Sequence, residues 1–360
     1  MRVVQITDTF RPTINGVVRS IEVANDGLAG AGVPTDIVEP GTHGAIPCPI
    51  YPGLMVALRP VRASDLAGCD VAHIHTPGML GLTGAEACRK ASLPLVYTYH
   101  SRLPEIVSSV LPPAIRRVAI ETLGIVEQRI LNAADVVIAP SRAVGKALRR
   151  SHGIDARVVP TALPSSFLKE AARLRAVEGG RLRRNPGTGF VVGYLGRLSP
   201  EKRVEFVLHA FARVRHLLPN PSLNIGGRGP SLPSLKRLAR RLRLTVNWLG
   251  GIDDRALPSV YASWDVFVTA SRIETQCLSI AEALASGVHV ICPDLPELRE
   301  SSDSRFATFY RADDIDDLSS AMLSAAAWVP RDASAAQIRR LEPQRMASRL
   351  IQVYASLIGE

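Results

Sequence analysis

Short apolar runs alternate with stretches of helical periodicity along most of the chain. Runs such as DVVIAP (135–140) and FVVGYLG (190–196) are continuous and rich in β-branched residues, which is typical of strands buried on both faces of a parallel sheet. Between them, stretches such as VEFVLHAFARVRHLL (204–218) place apolar residues at helical spacing. Two successive sets of such βα units predict an α/β fold with two Rossmann-like, doubly wound domains.

The predicted strands mark the domain boundaries. In the first half they cover residues 2–7, 35–40, 70–75, 95–100, 135–140 and 156–161. In the second half they cover residues 190–196, 222–227, 246–250, 265–270, 289–293 and 307–310. We therefore predict an N-terminal domain over 1–163 and a C-terminal domain over 190–340. The stretch 164–189 is charged, punctuated by proline and glycine and without a strand pattern, so we interpret it as a linker. The final stretch, 341–360, contains a helix that comes after the last βα unit of the second sheet. This helix could cross back to the first domain.

Length and composition agree with two globular domains. At 360 residues the chain exceeds the usual single-domain size, and its 46% hydrophobic fraction is ample for two cores. No window of eighteen uninterrupted apolar residues predicts a membrane span, and the start MRVVQITDTF lacks the apolar region of a signal peptide. The five scattered cysteines contain no CxxC pair and indicate reduced thiols rather than disulfides or zinc. We expect a cytoplasmic protein.

The net charge of +10 calls for an anionic partner or substrate. Nucleic acid, an anionic membrane surface and a phosphorylated substrate all fit this charge. Aromatic residues make up only 5% of the chain and do not interleave with the basic runs, which argues against nucleic-acid binding by base stacking. The pair His73 and His75 has no third ligand nearby in the sequence, so we predict no metal site.

Two acids stand out in the stretch SRIETQCLSIAEALASG (271–287). Glu274 follows a predicted strand, and Glu282 lies in a helix whose neighbouring residues are almost all small or apolar. Eight helical steps would separate them by about 12 Å, roughly the reach needed to touch both ends of a sugar nucleotide. The alternative is that Glu274 is an acid at the N-terminus of the helix, stabilised by the helix dipole, and that Glu282 is a surface carboxylate.

Basic and glycine-rich turns precede these acids. In GYLGRLSPEKRVEF (193–206), Arg197 and Lys202 lie where a strand ends and a helix begins, an arrangement suited to a diphosphate. They could equally pair with Glu201 and Glu205 on the surface. In GGRGP (226–230), Gly227 would let the backbone approach a ligand, although a tight βα turn explains it equally well.

The first domain offers two further candidates. Gly16 lies at the start of a predicted helix, where backbone N–H groups could face a phosphate. His100 ends the predicted strand of VYTYHSRLPE (96–105), where it could bind a sugar hydroxyl or stabilise a leaving phosphate.

In order and spacing, these motifs resemble the retaining glycosyltransferases of family 4, which have the GT-B fold of two Rossmann-like domains facing a central cleft. The resemblance is carried by TDTFRPTINGVVRS, HTPGMLG, YTYHSRLPE, ADVVIAPS, GRLSPEK, GGRGP and ASRIETQCLSIAEALASG. It implies transfer of a hexosyl group from a nucleoside-diphosphate sugar, with no cofactor and no metal required. The N-terminal domain would be the acceptor side and the C-terminal domain would bind the nucleotide sugar.

The resemblance also implies residue roles. Glu274 and the backbone of the residues after it would contact the donor sugar, Glu282 would hold the ribose, and Arg197 and Lys202 would neutralise the diphosphate. Gly16 would let the first domain close on the donor, and His100 would act near the anomeric carbon. The full set implied to bind the donor is Gly16, Arg197, Lys202, Gly227, Glu274, Thr275, Gln276, Cys277, Leu278 and Glu282.

Three departures from the family pattern bear on these roles. The family usually has glycine where this chain has Cys277, so the extra side chain could shift the loop that touches the sugar. The family's Pro-Asn-Gly turn is replaced by VVPTALP (158–164), which puts that hinge contact in doubt. The loop PDLPELRES (293–301) makes Glu300 a weaker site candidate.

The acceptor is the least determined part. The motifs D-T-F-x-P-x-I-N-G-V and E-T-Q most resemble enzymes that place glucose or mannose on membrane lipids or cell-envelope precursors. The helical stretch 112–131, with its basic residues, would suit peripheral docking on the inner face of an anionic membrane, although Glu121 and Glu127 dilute it. A soluble natural-product acceptor such as an aminocyclitol, a sugar-nucleotide 2-epimerase and an inactive nucleotide-sugar-binding protein are the alternatives.

Overall fold

The computed structural model describes residues 1–11, 13–47, 55–100, 111, 113–177, 189–302, 305–327 and 335–359. The chain forms two compact units, the first made of Met1–Ala162 with Leu341–Glu360 and the second of Leu163–Arg340. Each contains a six-stranded parallel sheet. The predicted α/β fold with two doubly wound, Rossmann-like halves is confirmed.

The first unit is built on a sheet with the order β2-β1-β5-β6-β7-β8. Its strands are β1 (Val3–Ile6), β2 (Thr35–Val38), β3 (Ala45–Pro47), β4 (Met55–Ala57), β5 (Val71–Ile74), β6 (Leu95–Thr98), β7 (Val136–Ala139) and β8 (Arg157–Val158). Its helices before the second unit are α1 (Gly16–Gly30), α2 (Met79–Ala91), α3 (Pro113–Ala133) and α4 (Arg142–His152). Strands β3 and β4 form a separate antiparallel pair that the strand pattern did not predict. Cys48, which was among the predicted reduced thiols, lies outside the described residues.

The second unit has the sheet order β11-β10-β9-β12-β13-β14. Its strands are β9 (Val191–Leu195), β10 (Ser222–Gly226), β11 (Val246–Gly250), β12 (Val266–Val268), β13 (His289–Pro293) and β14 (Ala307–Tyr310). Its helices are α5 (Ser165–Val177), α6 (Val204–Val214), α7 (Leu232–Arg241), α8 (Leu257–Ala262), α9 (Leu278–Ala285), α10 (Pro296–Ser301), α11 (Ile315–Ala326) and α12 (Ala335–Arg340). The strand order reverses between β9 and β12, and open α/β sheets bind ligands at such a point, beyond the carboxyl ends of the strands.

The stretch predicted as a linker contains helix α5. Phe167 of this helix is buried, and its ring meets that of Tyr261 edge-on with the centroids 6.3 Å apart. Arg175 near the end of α5 donates a hydrogen bond to the carbonyl of Ala285. The first half of 164–189 is therefore a packed helix of the second unit, and residues 178–188 lie outside the described residues.

The last helix, α13 (Pro343–Ile358), packs in the first unit against α1. A Cβ at Gly27 would lie 2.8 Å from the carbonyl oxygen of Pro343, so only glycine allows this approach of the two helices. Tyr354 on α13 is fully buried, and its hydroxyl lies 2.7 Å from Nδ1 of His73. No helix in the described ranges is long and apolar enough to cross a membrane.

Candidate active site

The candidate site of the second unit lies where its strand order reverses. Arg197 comes two residues after β9 ends, and Glu274 lies in the loop that follows β12. Because β9 and β12 are parallel neighbours, the segments that leave their carboxyl ends emerge at the same edge of the sheet. The fold thus brings together two motifs that are more than seventy residues apart in the sequence.

Lys202 and Glu274 form the centre of this site. Nζ of Lys202 donates a hydrogen bond of 2.6 Å to Oε1 of Glu274, and the two side chains are only 23% and 10% exposed. Burial lowers the pKa of Lys202, but the charge and hydrogen bond of Glu274, together with nearby Cys277 and Glu201, raise it by more, and the net shift is upward from the ordinary value. The lysine is therefore a charged ammonium at neutral pH, and it pairs with Glu274, rather than with Glu205 as in the alternative surface arrangement.

The turn that carries Arg197 is held by a hydrogen bond from a buried tyrosine. The hydroxyl of the buried Tyr194 donates a hydrogen bond of 3.0 Å to the carbonyl oxygen of Arg197. Burial lowers the pKa of the Arg197 guanidinium, while the nearby Glu201 carboxylate raises it. Glu201 is itself buried and accepts a hydrogen bond from the hydroxyl of Ser199 through one oxygen. The partly buried arginine keeps its charge, because guanidinium groups do not lose their proton in proteins.

Gly227 brings the glycine-rich loop next to this turn. Its φ is +125°, and a Cβ there would lie 1.8 Å from the carbonyl oxygen of Gly196. Its N–H donates a hydrogen bond of 2.6 Å to the carbonyl of Gly250. Glycine is therefore required at 227 by the backbone contact with the residue before Arg197, which places GGRGP beside GRLS.

Glu282 points into the unit rather than out to water. It is 3% exposed and accepts a hydrogen bond of 2.7 Å from the hydroxyl of Tyr261. Burial and the neighbouring Glu282 charge raise the pKa of Tyr261 well above its ordinary value, so the phenol remains a donor. The reading of Glu282 as a surface carboxylate is therefore wrong.

Cys277, between Glu274 and Glu282, has an unstrained backbone conformation. Cys277 is the N-cap of α9, with φ −84° and ψ 98°, a conformation that any residue adopts, and it is 6% exposed. Burial, together with the charge of Glu274, raises the pKa of its thiol well above the ordinary value. Thr275 and Gln276 precede it in the loop, and Leu278 is the first helical residue. The thiol is thus a neutral, packed side chain.

The candidates of the first unit also follow strand ends. Gly16 is the first residue of α1, and the side chain of Asn15 caps that helix by accepting from the N–H groups of Val17 and Val18. His100 follows β6, and its Nε2 lies 2.9 Å from Nδ1 of His75. The remainder of the YHSRLPE motif, residues 101–105, lies outside the described residues.

The structure adds groups that the sequence did not single out. Tyr261 had no motif to mark it as the partner of Glu282. Asp313 forms an ion pair with Arg203, the residue after Lys202. It also pairs at 2.5 Å with Arg272, which lies two residues before Glu274. Glu300 is exposed on α10. Within the described ranges no group of three or more metal-ligating side chains comes together.

Comparison with protein families gives two matches along the chain. Residues 14–166 match the family model "Glycosyltransferase Family 4", and residues 189–327 match "Glycosyl transferases group 1". The chain belongs to glycosyltransferase family 4. It is therefore an enzyme that transfers glycosyl groups from nucleotide sugars, as the resemblance implied.

Curated relatives of the enzyme act on different sugars. A GDP-mannose-dependent alpha-mannosyltransferase of Mycobacterium tuberculosis is 28% identical over 327 residues, which is 82% of this chain and 79% of the relative. An alpha-monoglucosyldiacylglycerol synthase of Streptococcus pneumoniae is 28% identical over 359 residues, 90% of this chain and 78% of the relative. The expected branch of the family is thus confirmed.

Solved structures show the same fold over the whole length. Sucrose-phosphate synthase of Thermosynechococcus elongatus superimposes with a TM-score of 0.77 at 21% identity, covering 100% of both chains. HepE of Anabaena, solved in complex with UDP, gives 0.72 at 18% identity and covers 99% of this chain and 100% of the other. The fold of the enzyme is GT-B.

Proposed function

We propose that the enzyme is a retaining hexosyltransferase that moves a hexosyl group from a UDP- or GDP-linked sugar to a hydroxyl of a membrane lipid or cell-envelope precursor. The observation that carries the proposal is the partly buried ion pair of Lys202 and Glu274, with Arg197 just beyond the end of β9, at the edge of the sheet where its strand order reverses. Such an edge is where open α/β sheets bind nucleotides.

The chemistry of the pair suits a nucleotide sugar. When the bond from the anomeric carbon to the diphosphate breaks, negative charge accumulates on the departing phosphate oxygens. Arg197 and Lys202 are fixed cations that would stabilise this charge, the arginine by a bidentate fork and the lysine as a point charge. Glu274 would accept hydrogen bonds from hydroxyls of the sugar, next to the backbone of Thr275 to Leu278.

Glu282 would hold the ribose of the nucleotide. A carboxylate accepts hydrogen bonds from two vicinal hydroxyls, and Tyr261 fixes its orientation through one oxygen. Gly227 would let the backbone approach the donor. From the first unit, the N-terminus of α1 at Gly16 would favour phosphate, and His100 would bind the sugar near its anomeric carbon.

A lipid acceptor is supported by the exposed face of α3. Ile115, Val118 and Ile125 are 47%, 65% and 58% exposed and lie within one face of the helix, and Arg129 continues the same face. Glu127 lies on the opposite, buried face, where it accepts a hydrogen bond of 3.4 Å from Tyr97. Glu127 therefore does not dilute the apolar stripe. Glu121 does lie beside it, between Val118 and Ile125, but its charge is paired with Arg117. The stripe would enter an anionic leaflet while neighbouring basic residues attract its headgroups.

The proposal is tested by a transfer assay with purified protein. UDP-glucose and GDP-mannose, each labelled in the sugar, are incubated with extracted membrane lipids and with a set of aminocyclitols. We expect label in the lipid fraction and an anomeric proton in the product with the configuration of the donor. Lys202→Ala should abolish transfer, whereas Lys236→Ala, an exposed lysine on α7, should not.

Other outcomes of the same assay identify the alternatives. Label in the aminocyclitols alone indicates a soluble acceptor, and an epimerised donor without acceptor indicates an epimerase. An inverted product overturns the retaining chemistry. Binding of the donor without transfer to any acceptor overturns the proposal in favour of a binding protein.

Membrane docking has its own test. Vesicles with and without anionic lipid are sedimented with the enzyme at two salt concentrations. We expect binding to anionic vesicles that weakens at high salt and is lost in Val118→Asp. Equal recovery of the wild type and Val118→Asp with anionic vesicles would show that α3 does not dock on the membrane.

A further inference from the structure

One carboxylate joins the two segments that carry Lys202 and Glu274. Asp313 lies three residues after the end of β14, and both of its oxygens are used. Oδ1 pairs with the guanidinium of Arg203, the residue after Lys202, and Oδ2 accepts a hydrogen bond of 2.5 Å from Nη1 of Arg272. Arg272 lies two residues before Glu274. A second bridge, besides the Lys202–Glu274 pair, therefore connects the same two segments.

The partners of this bridge are themselves fixed. Tyr310, the last residue of β14, is buried, and its hydroxyl donates a hydrogen bond of 3.2 Å to the carbonyl oxygen of Thr269. Thr269 directly follows β12, so the strand that leads to Asp313 is bound to the start of the second segment. In the first segment, the guanidinium of Arg203 lies over the ring of Phe206, 3.9 Å from its centroid. Asp313 therefore connects groups whose positions the fold already restricts.

Both residues of the Arg203–Asp313 pair have a backbone conformation that favours glycine. Their φ angles are +52° and +68°, in the left-handed region, where a side chain costs energy and costs more for arginine than for aspartate. Glycine at either position would avoid that cost. Strained residues of this kind persist where the surrounding structure holds them, and they cluster at functional sites. The retained side chains thus favour a functional role for their ion pair.

We propose that Asp313 is a positioning residue, which holds Lys202 and Glu274 in place for the diphosphate of the donor by pairing with Arg203 and Arg272. The inference rests on the proposed function, in which Lys202 receives the diphosphate. The two arginine side chains are 25% and 51% exposed, so each ion pair contributes little to global stability. The expected effect is local, because a lysine whose segment is already ordered loses less conformational entropy when the diphosphate binds.

Asp313→Asn tests the inference, because it removes the charge and keeps the size of the side chain and its tolerance of the left-handed region. UDP or GDP, whichever binds the wild type, is titrated by calorimetry. We expect the Kd of Asp313→Asn to rise about threefold to fivefold, as for the loss of partly exposed ion pairs. Charge alone predicts the opposite sign, since removing a negative charge near an anion site would tighten binding.

Asp316→Asn is the matched control. Asp316 is the second residue of α11 and pairs with Arg213 of α6, so this variant removes an ion pair between the same regions of the unit. Neither residue belongs to the segments that carry Lys202 and Glu274. The Kd of Asp316→Asn should equal that of the wild type.

A double-mutant cycle shows whether Asp313 acts through Lys202. In the Lys202→Ala background, Asp313→Asn should leave the Kd unchanged, because the group that it positions is gone. An equal loss of affinity in both backgrounds would show a general structural effect and overturn the inference. A Kd of Asp313→Asn equal to or lower than that of the wild type would overturn it as well.

Amide hydrogen exchange gives a readout on the free enzyme. In Asp313→Asn, peptides that cover 196–206 and 271–278 should exchange faster than in the wild type, whereas in Asp316→Asn both should be unchanged. Wild-type exchange of both peptides in Asp313→Asn would contradict the inference.

The inference and the proposed function fail in different ways. A wild type that binds UDP or GDP but transfers sugar to no acceptor contradicts the proposed function, while the cycle and the exchange still decide the role of Asp313. A wild type that binds neither nucleotide contradicts both.

Discussion

Replacing Glu274 by glutamine removes a negative charge 2.6 Å from the Lys202 ammonium and keeps the size of the side chain. In the proposed site the same ammonium receives the diphosphate. The carboxylate therefore competes with the phosphate for Lys202 and also repels it. We expect Glu274→Gln to bind the free nucleoside diphosphate more tightly than the wild type, although it transfers sugar more slowly.

The magnitude follows from the geometry of the pair. A phosphate oxygen bound to the far side of Nζ would lie about 5 Å from the carboxylate, because each N–O contact is about 2.7 Å. At an effective dielectric constant of about 20, two unit charges at this separation repel by about 3 kcal/mol. Both side chains keep some contact with water, at 23% and 10% exposure, which reduces the effect to about 1 kcal/mol, or about fivefold in Kd.

Isothermal titration calorimetry measures this difference directly. UDP and GDP are titrated into the wild type and Glu274→Gln, and the one that binds the wild type is used for the comparison. Asp316→Asn is the control, since it removes an 86% exposed carboxylate of the same unit. Weaker binding of the diphosphate by Glu274→Gln than by the wild type would refute the assignment of Lys202 as its partner.

Three further predictions concern the stability of the first unit. His73 is buried with its pKa lowered to about 3, below that of about 6.5 in the unfolded chain, so it takes up a proton on unfolding. The contribution of His73 to the free energy of unfolding should therefore fall by about 1.4 kcal/mol for each pH unit below about 6.5, and His75 and His100, whose pKa values burial also lowers, add to this slope. A Tm that is flat between pH 7 and 5 would contradict this. Asp8 accepts hydrogen bonds from the N–H groups of Gly78, Leu80 and Gly81 at the start of α2. Asp8→Ala should therefore lower the free energy of unfolding, measured in urea, by about 3 kcal/mol. A loss below about 1 kcal/mol would show that these bonds contribute little to stability. Ser92 ends α2 with φ +51°, so Ser92→Gly should raise the Tm by relieving about 0.5 kcal/mol of strain, and a lower Tm would show that the cost of glycine in the unfolded chain dominates.

The strand pattern was enough to predict the fold because both sheets are buried on two faces. Their strands are short, continuous apolar runs, a pattern that is typical of parallel sheets covered on both faces and of few other structures. The stretch 164–189 was harder, since α5 has a short amphipathic pattern that also fits a charged linker. The hairpin of β3 and β4 escaped prediction because its two strands have three residues each, too few to show a period.

Individual residues of the candidate site could be predicted from their local sequence, but the contacts between them could not. Arg197, Lys202 and Glu274 were selected because they follow strand ends, which is a local property. The contact between Lys202 and Glu274 depends on the order of strands in the sheet, which the sequence does not show. The same limit applies to Tyr261, whose role comes from a single hydrogen bond to a distant residue.

The central claim is that Lys202 receives the diphosphate of the donor, and the affinity of Lys202→Ala for UDP and GDP tests it most directly. Loss of one charge-assisted hydrogen bond should weaken binding of the preferred nucleotide by about ten- to a hundredfold, while Lys236→Ala binds like the wild type. Circular dichroism would confirm that both variants are folded. An unchanged Kd in folded Lys202→Ala would contradict the account.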